Sequence, residues 1–127
     1  MQSRVSIFLA EDDEDDALFF EEAINELFPE FDLTILNNGV KLMNQLETVK
    51  SLPDVIFLDL NMPLKNGIEC LKEIKGNDIL KDIKTVILST SSDNQQKKIC
   101  YSLGADLYII KVPNFNEYKL NLKHCLL

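Results

Sequence analysis

Four consecutive apolar residues, Val55, Ile56, Phe57 and Leu58, stand between Asp54 and Asp59, and this run constrains the fold more than any other stretch. A half-exposed strand alternates apolar with polar residues. A run without alternation fits a parallel strand covered by helices on both faces. Asp59 ends the run, and the loop formers Asn61, Pro63, Asn66 and Gly67 follow it. A carboxylate at the C-terminal end of a parallel strand lies where open α/β sheets place ligands. On this stretch alone, an aspartate capping a turn is an equally good reading.

The rest of the chain supplies the partners such a strand requires. Val5 to Ala10 is a first apolar run that breaks into six acids, Glu11 to Asp16. Residues 14 to 28 follow as a helix with Ala17, Phe20, Ile24 and Leu27 on its inner stripe, stopped by Pro29 and leaving Phe19 on the flank. Leu33 to Leu36 is a short strand, Asn37 to Gly39 a turn, and Leu42, Leu46 and Val49 mark a second helix. Beyond the central strand, Ile68, Leu71 and Ile74 recur as a third helix closing near Gly76. Thr85 to Leu88 is a fourth strand ending in Ser89, Thr90, Ser91 and Ser92. A fourth helix runs from about Asn94 to Leu103, capped by Gly104. Ala105 to Ile110 forms the last strand, which delivers Lys111, and a final helix starts near Asn116 with Tyr118, Leu122 and Leu126 inward.

Five strands alternating with five helices predict a doubly wound five-stranded parallel sheet of order 2-1-3-4-5, with helices on both faces. The 127 residues suffice for one domain, spanning 1–127 with no output domain. In that topology Glu11, Asp12, Asp59, Ser89 and Lys111 converge on one edge. Each has an ordinary explanation alone, a cap for Ser89 or a surface charge for Lys111, and Asp13 to Asp16 read as a solvated helix start. Their joint placement is what singles them out. Thirteen basic against 21 acidic side chains give a net charge of −8, which argues against nucleic acid as the direct partner. Cys70, Cys100 and Cys125 are widely spaced and read as buried thiols in a reducing, cytoplasmic compartment; no segment approaches a membrane span.

Three carboxylates in one crevice are costly to ionise together unless a cation joins them. Magnesium suits oxygen-only ligands, whereas the single histidine, His124, reads as a solvated helix-end residue and offers no zinc site. With Lys111 as a positive charge and Ser89 as a hydroxyl donor, the crevice matches the needs of a phosphoryl group. Asp59 is then the nucleophile.

The whole chain resembles the receiver domains of response regulators, in architecture like the single-domain chemotaxis regulator. The segments that carry the resemblance are FLAEDD, DVIFLDLNMPLKNG, VILST and DLYIIK. The resemblance implies that Asp59 accepts a phosphoryl group from a histidine kinase or phosphotransfer protein. It implies that magnesium is held by Asp12 directly, Glu11 through water, the Asn61 carbonyl and an Asp59 oxygen. Ser89 matches the family's hydroxyl position, Thr90 follows it in place of a small residue, Lys111 matches the lysine, and Tyr108 matches the aromatic switch. The implied output is contact with a downstream protein through the fourth helix, fifth strand and fifth helix. Phe19, beside the acidic edge, is an expected anchor for the kinase or phosphotransfer helix, with core packing as the alternative.

One departure from the family pattern is local. Lys111 is followed by Val112 and only then by Pro113, where the family places a cis proline directly after the lysine. A non-proline cis bond costs about 2.5 to 4 kcal/mol, so the Lys111–Val112 bond is expected to be trans, with the lysine still reaching Asp59. The acidic N-terminal run and long first helix resemble the small regulators that partner phytochrome-type kinases. A magnesium-dependent aspartyl-phosphate phosphatase is a competing reading, but it carries a further acid two positions after its nucleophile, where this chain has Asn61. A non-phosphorylated interaction module of the same fold is the third.

Overall fold

A computed structural model describes residues 4–28 and 30–126. The expected helix stop at Pro29 and the chain's last residue, Leu127, lie outside the described residues. In order, the elements are β1 (Val5–Ala10), α1 (Glu14–Leu27), β2 (Phe31–Leu36), α2 (Gly39–Thr48) and β3 (Val55–Asp59). They continue with α3 (Gly67–Lys75), β4 (Lys84–Ser89), α4 (Asn94–Ser102), β5 (Leu107–Ile110) and α5 (Phe115–Leu126). The strands form one parallel sheet of order β2-β1-β3-β4-β5, as the alternation of strands and helices predicts.

Side chains alternate across a strand, so β1, β3 and β4 each feed two cores. Phe8, Ala10, Ile56, Leu58 and Ile87 point toward Leu42 and Leu46 of α2 and Leu71 and Ile74 of α3. Ile7, Leu9, Phe57, Val86 and Leu88 point the other way, toward Phe20 and Ile24 of α1 and Tyr118 and Leu122 of α5. Every residue of β3 is buried, which accounts for its unbroken apolar sequence.

Element ends differ from the sequence reading where polar caps decide them. Asn38 caps α2 by accepting from Lys41 N, so Gly39 begins the helix rather than completing a turn. β2 extends back to Phe31, and β5 begins at Leu107 because Asp106 is drawn to β4, accepting from Thr85 N. The three cysteines are buried, free thiols, and burial pushes Cys70 and Cys125 up to about 11. His124 is exposed, as expected.

Candidate phosphoryl-acceptor site

The C-terminal ends of β1, β3 and β5 bring Glu11, Asp12, Asp59 and Lys111 together. Glu11 follows β1 and is tied down by its backbone N–H, which donates to Leu36 O at 3.0 Å. Asp59 is the last residue of β3 and is buried. Gly67 opens α3 directly behind it; a Cβ there would collide with the Asp59 carbonyl oxygen, so glycine lets the helix start close to the site. Asn66 and Glu69 form a capping box that fixes this start.

Glu11, Asp12 and Asp59 each offer a carboxylate oxygen, and the three atoms lie within 4.8 Å of one another. Asn61 reaches the site through its backbone N–H, which donates to Asp59 Oδ1 at 3.3 Å. From the other side Lys111 Nζ stands 2.6 Å from Glu11 Oε1, 3.0 Å from Asp16 Oδ2 and 3.4 Å from Asp59 Oδ2. No peptide bond among the described residues is cis, so the Lys111–Val112 bond is trans as expected, and Pro113 opens the turn into α5. The ammonium does reach Asp59, but its shorter bonds go to Glu11 and Asp16.

Asp16 corrects the sequence reading, which left it in solvent with its neighbours. Asp13 serves as the N-cap of α1, accepting from Asp16 N, and this turn directs the Asp16 carboxylate back toward Lys111. Nothing in the stretch Asp13 to Asp16 distinguishes the acid that reaches Lys111.

Electrostatics follow the crowding. Burial, reinforced by hydrogen bonding to Asp59, holds the Glu11 carboxyl well above the usual carboxylate range even though Lys111 pulls it down. Burial also works against the Lys111 charge, but its bonds to Glu11 and Asp16 and the charge of Asp59 outweigh that and raise its pKa. The Tyr118 hydroxyl is raised by burial and then by the charges of Glu11, Asp16 and Asp59.

The end of β4 is built from neutral groups. Ser89 Oγ accepts from Ser91 N at 3.1 Å and from Gln96 Nε2 at 2.9 Å. Gln96 Nε2 also donates to Tyr108 Oη at 2.7 Å, and that hydroxyl donates to Ser91 O at 2.8 Å. Ser89 and Tyr108, singled out in the sequence, are therefore linked, and Gln96, which the sequence did not single out, is the link. Phe19 is half-buried: its ring stacks on Tyr118 at 5.2 Å and meets Phe115 edge-on at 5.4 Å, in the seam between α1 and α5. With Thr90, Val112 and Pro113 it also lines a cavity of about 400 Å³ beside Lys111.

A family model described as the response regulator receiver domain matches residues 7–123. The chain belongs to the response-regulator receiver family. It is 34% identical over 116 residues to response regulator Rcp1 of Synechocystis sp., covering 87% of this chain and 79% of that protein. The crystal structure of the phosphorylated cyanobacterial phytochrome response regulator RcpA superposes with a TM-score of 0.88 at 33% identity, covering 96% of this chain and 91% of that one. The Mn(2+)-bound form of Rcp1 gives 0.84 at 31% identity, covering 94% and 90%. By contrast, the chain spans only 21% of a Clostridium acetobutylicum protein-glutamate methylesterase/protein-glutamine glutaminase to which it is 43% identical over 76 residues. As a receiver domain, the chain is placed by these matches in two-component signalling, with relatives among phytochrome response regulators.

Proposed function

We propose that Asp59 is the phosphoryl acceptor of a two-component switch, charged by a histidine kinase or phosphotransfer protein with magnesium bound. The observation that carries this reading is the meeting of the Asp59 carboxylate with Lys111 Nζ at 3.4 Å on one side and the Glu11 and Asp12 oxygens on the other. The related RcpA was crystallised phosphorylated and Rcp1 with Mn(2+), which supports the same chemistry here.

The donor set fits the metal. It contains only oxygens, and Glu11 is a buried carboxyl that gains most from a cation beside it. Asp12 and Asp59 would hold magnesium directly, with Glu11 through water and the Asn61 carbonyl completing the protein ligands. When bound, the ion supplies charge neutralisation at the phosphoryl oxygens.

The chain's own residues do the rest. An Asp59 oxygen attacks phosphorus in line, the bond from phosphorus to the donor breaks, and the donor leaves with the electron pair. Lys111 Nζ neutralises a peripheral oxygen. Ser89, with both lone pairs occupied by Ser91 N and Gln96 Nε2, has its hydroxyl hydrogen free to donate to another. The product is an acyl phosphate that water later hydrolyses, and it adds about −1.5 to −2 charge to the crevice. Movement of Ser89 toward that group changes the setting of Tyr108, and the surface of α4, β5 and α5 carries the signal to a downstream protein.

Incubation with acetyl phosphate and magnesium tests this reading by intact-mass spectrometry. One added phosphoryl group is expected, absent in Asp59→Asn and after chelation. Label that persists in Asp59→Asn overturns the assignment.

A further inference from the structure

We propose that Gln96 is a positioning residue that ties the Ser89 hydroxyl to the Tyr108 ring, so that a change at one is felt at the other through a single side-chain amide.

The geometry leaves little freedom in how these groups are bonded. Ser91 O can only accept, so the bond of 2.8 Å between it and Tyr108 Oη commits the tyrosine hydrogen to Ser91. Tyr108 Oη must then act as acceptor toward Gln96 at 2.7 Å, which sets the amide with its nitrogen facing the tyrosine. The same nitrogen is 2.9 Å from Ser89 Oγ. A primary amide has two N–H donors, and here one serves each hydroxyl. Ser91 closes the ring from both of its backbone groups, its N–H on Ser89 Oγ and its carbonyl on Tyr108 Oη. Ser89 is 2% exposed, so a lost bond there is not replaced by bulk water.

Placement makes Gln96 suited to this task. It lies in the first turn of α4, whose start is fixed by Asp93 accepting from Gln95 N. The amide therefore projects from a helix start held by its own cap. Lys97, the next residue, lies 5.7 Å from the Tyr108 ring centroid, so the same turn of α4 holds the tyrosine at both its hydroxyl and its face. A displacement of Ser89 Oγ that pulls the amide along alters the bonding at Tyr108 Oη directly, and one that breaks its bond releases the amide that Tyr108 Oη shares. In the phosphorylated state this relay rests on the reading of Asp59 given above; in the unmodified protein it does not.

A coupling experiment on the full chain separates the two. Fluorotyrosine labels Tyr101, Tyr108 and Tyr118, and Tyr108→Phe assigns the Tyr108 resonance. With no phosphoryl donor present, Ser89→Ala should shift that resonance in the parent protein. In Gln96→Met, which keeps the bulk and removes both donors, the Ser89→Ala shift should fall to less than about a third of its parent value, because among the described residues the amide is the only side-chain link between the two hydroxyls. Gln96→Asn, which keeps the donors but is one methylene too short to span both hydroxyls, should reduce the shift likewise. A Ser89→Ala shift of equal size in the parent protein, in Gln96→Met and in Gln96→Asn overturns the proposal. A second arm adds acetyl phosphate and magnesium: Gln96→Met should still gain one phosphoryl group while its Tyr108 shift on phosphorylation is at least halved. An undiminished Tyr108 shift there also overturns the relay, whereas failure of the parent protein to be phosphorylated counts against the Asp59 reading and leaves the first arm to decide on Gln96.

Discussion

The two halves of the crevice solve the same problem with different physics. At the ends of β1, β3 and β5, ionisable side chains are forced together, and their arrangement rests on charge: one ammonium shared among Glu11, Asp16 and Asp59. At the end of β4, Ser89, Gln96 and Tyr108 are joined to one another by directional hydrogen bonds between neutral groups. Charge is strong but weakly directional, so the first half tolerates displacement. That is why Lys111 reaches its partners although Val112, not proline, follows it. The neutral half depends on reach and angle, so it can transmit small movements.

Substitutions should separate the halves sharply. Asp59→Asn is expected to abolish phosphorylation completely, as read by intact mass, while leaving the Ser89–Gln96–Tyr108 bonds in place. Lys111→Met should slow phosphorylation from acetyl phosphate by about 100-fold, the typical cost of removing one stabilising donor from a charged transition state, without moving the label from Asp59. A loss of less than a few-fold would mean that the ammonium is a structural counter-ion only.

A pH series sharpens the contrast further. The folded-state Glu11 carboxyl is pushed up to about 8 by burial and by Asp59, above its ordinary value. Between those values the native protein keeps a proton that the unfolded chain releases, so this group's contribution makes metal-free stability fall as pH rises through the window. Thermal unfolding in chelator should show that fall, and Glu11→Gln should flatten it. Magnesium needs the ionised form, so its affinity should increase toward the top of the same window. The neutral half contributes no such slope.

The smallest effect is expected at the rim. Asp16→Asn removes a half-exposed partner of Lys111, and chemical denaturation should register about 0.2 to 1 kcal/mol. A larger loss would place Asp16 among the groups that hold the ammonium in position.

How much the sequence disclosed follows the same division. The sheet order, both cores and the meeting of Glu11, Asp12, Asp59 and Lys111 were legible because apolar runs that end in charged residues mark the ends of parallel strands. Ser89 and Tyr108 were legible as positions. Gln96 was not: a polar residue in the first turn of a polar helix has no periodic signature, and its role depends on where α4 sits against β4 and β5. Phe19 shows a third kind of gap. Its place off the helical stripe is visible in the sequence, but its packing on Phe115 and Tyr118 depends on the approach of α5. The acidic run hid Asp16 by a similar route, since a cap at Asp13 decides which carboxylate turns inward.

The Lys111 to Glu11 contact joins residues one hundred positions apart. During synthesis, Glu11 and Asp59 are therefore both present, with their counter-ion not yet made, while residues 60 to 110 are added. A contact of such sequence separation meets a larger loop-closure entropy than a local one. Until β5 docks, the Glu11 and Asp59 carboxylates lie near each other without that ammonium, and a cation from solution can take its place. Assembly of the last strand is thus also the moment at which the protein acquires its own charge balance, and ionic conditions should govern how readily that strand is recruited.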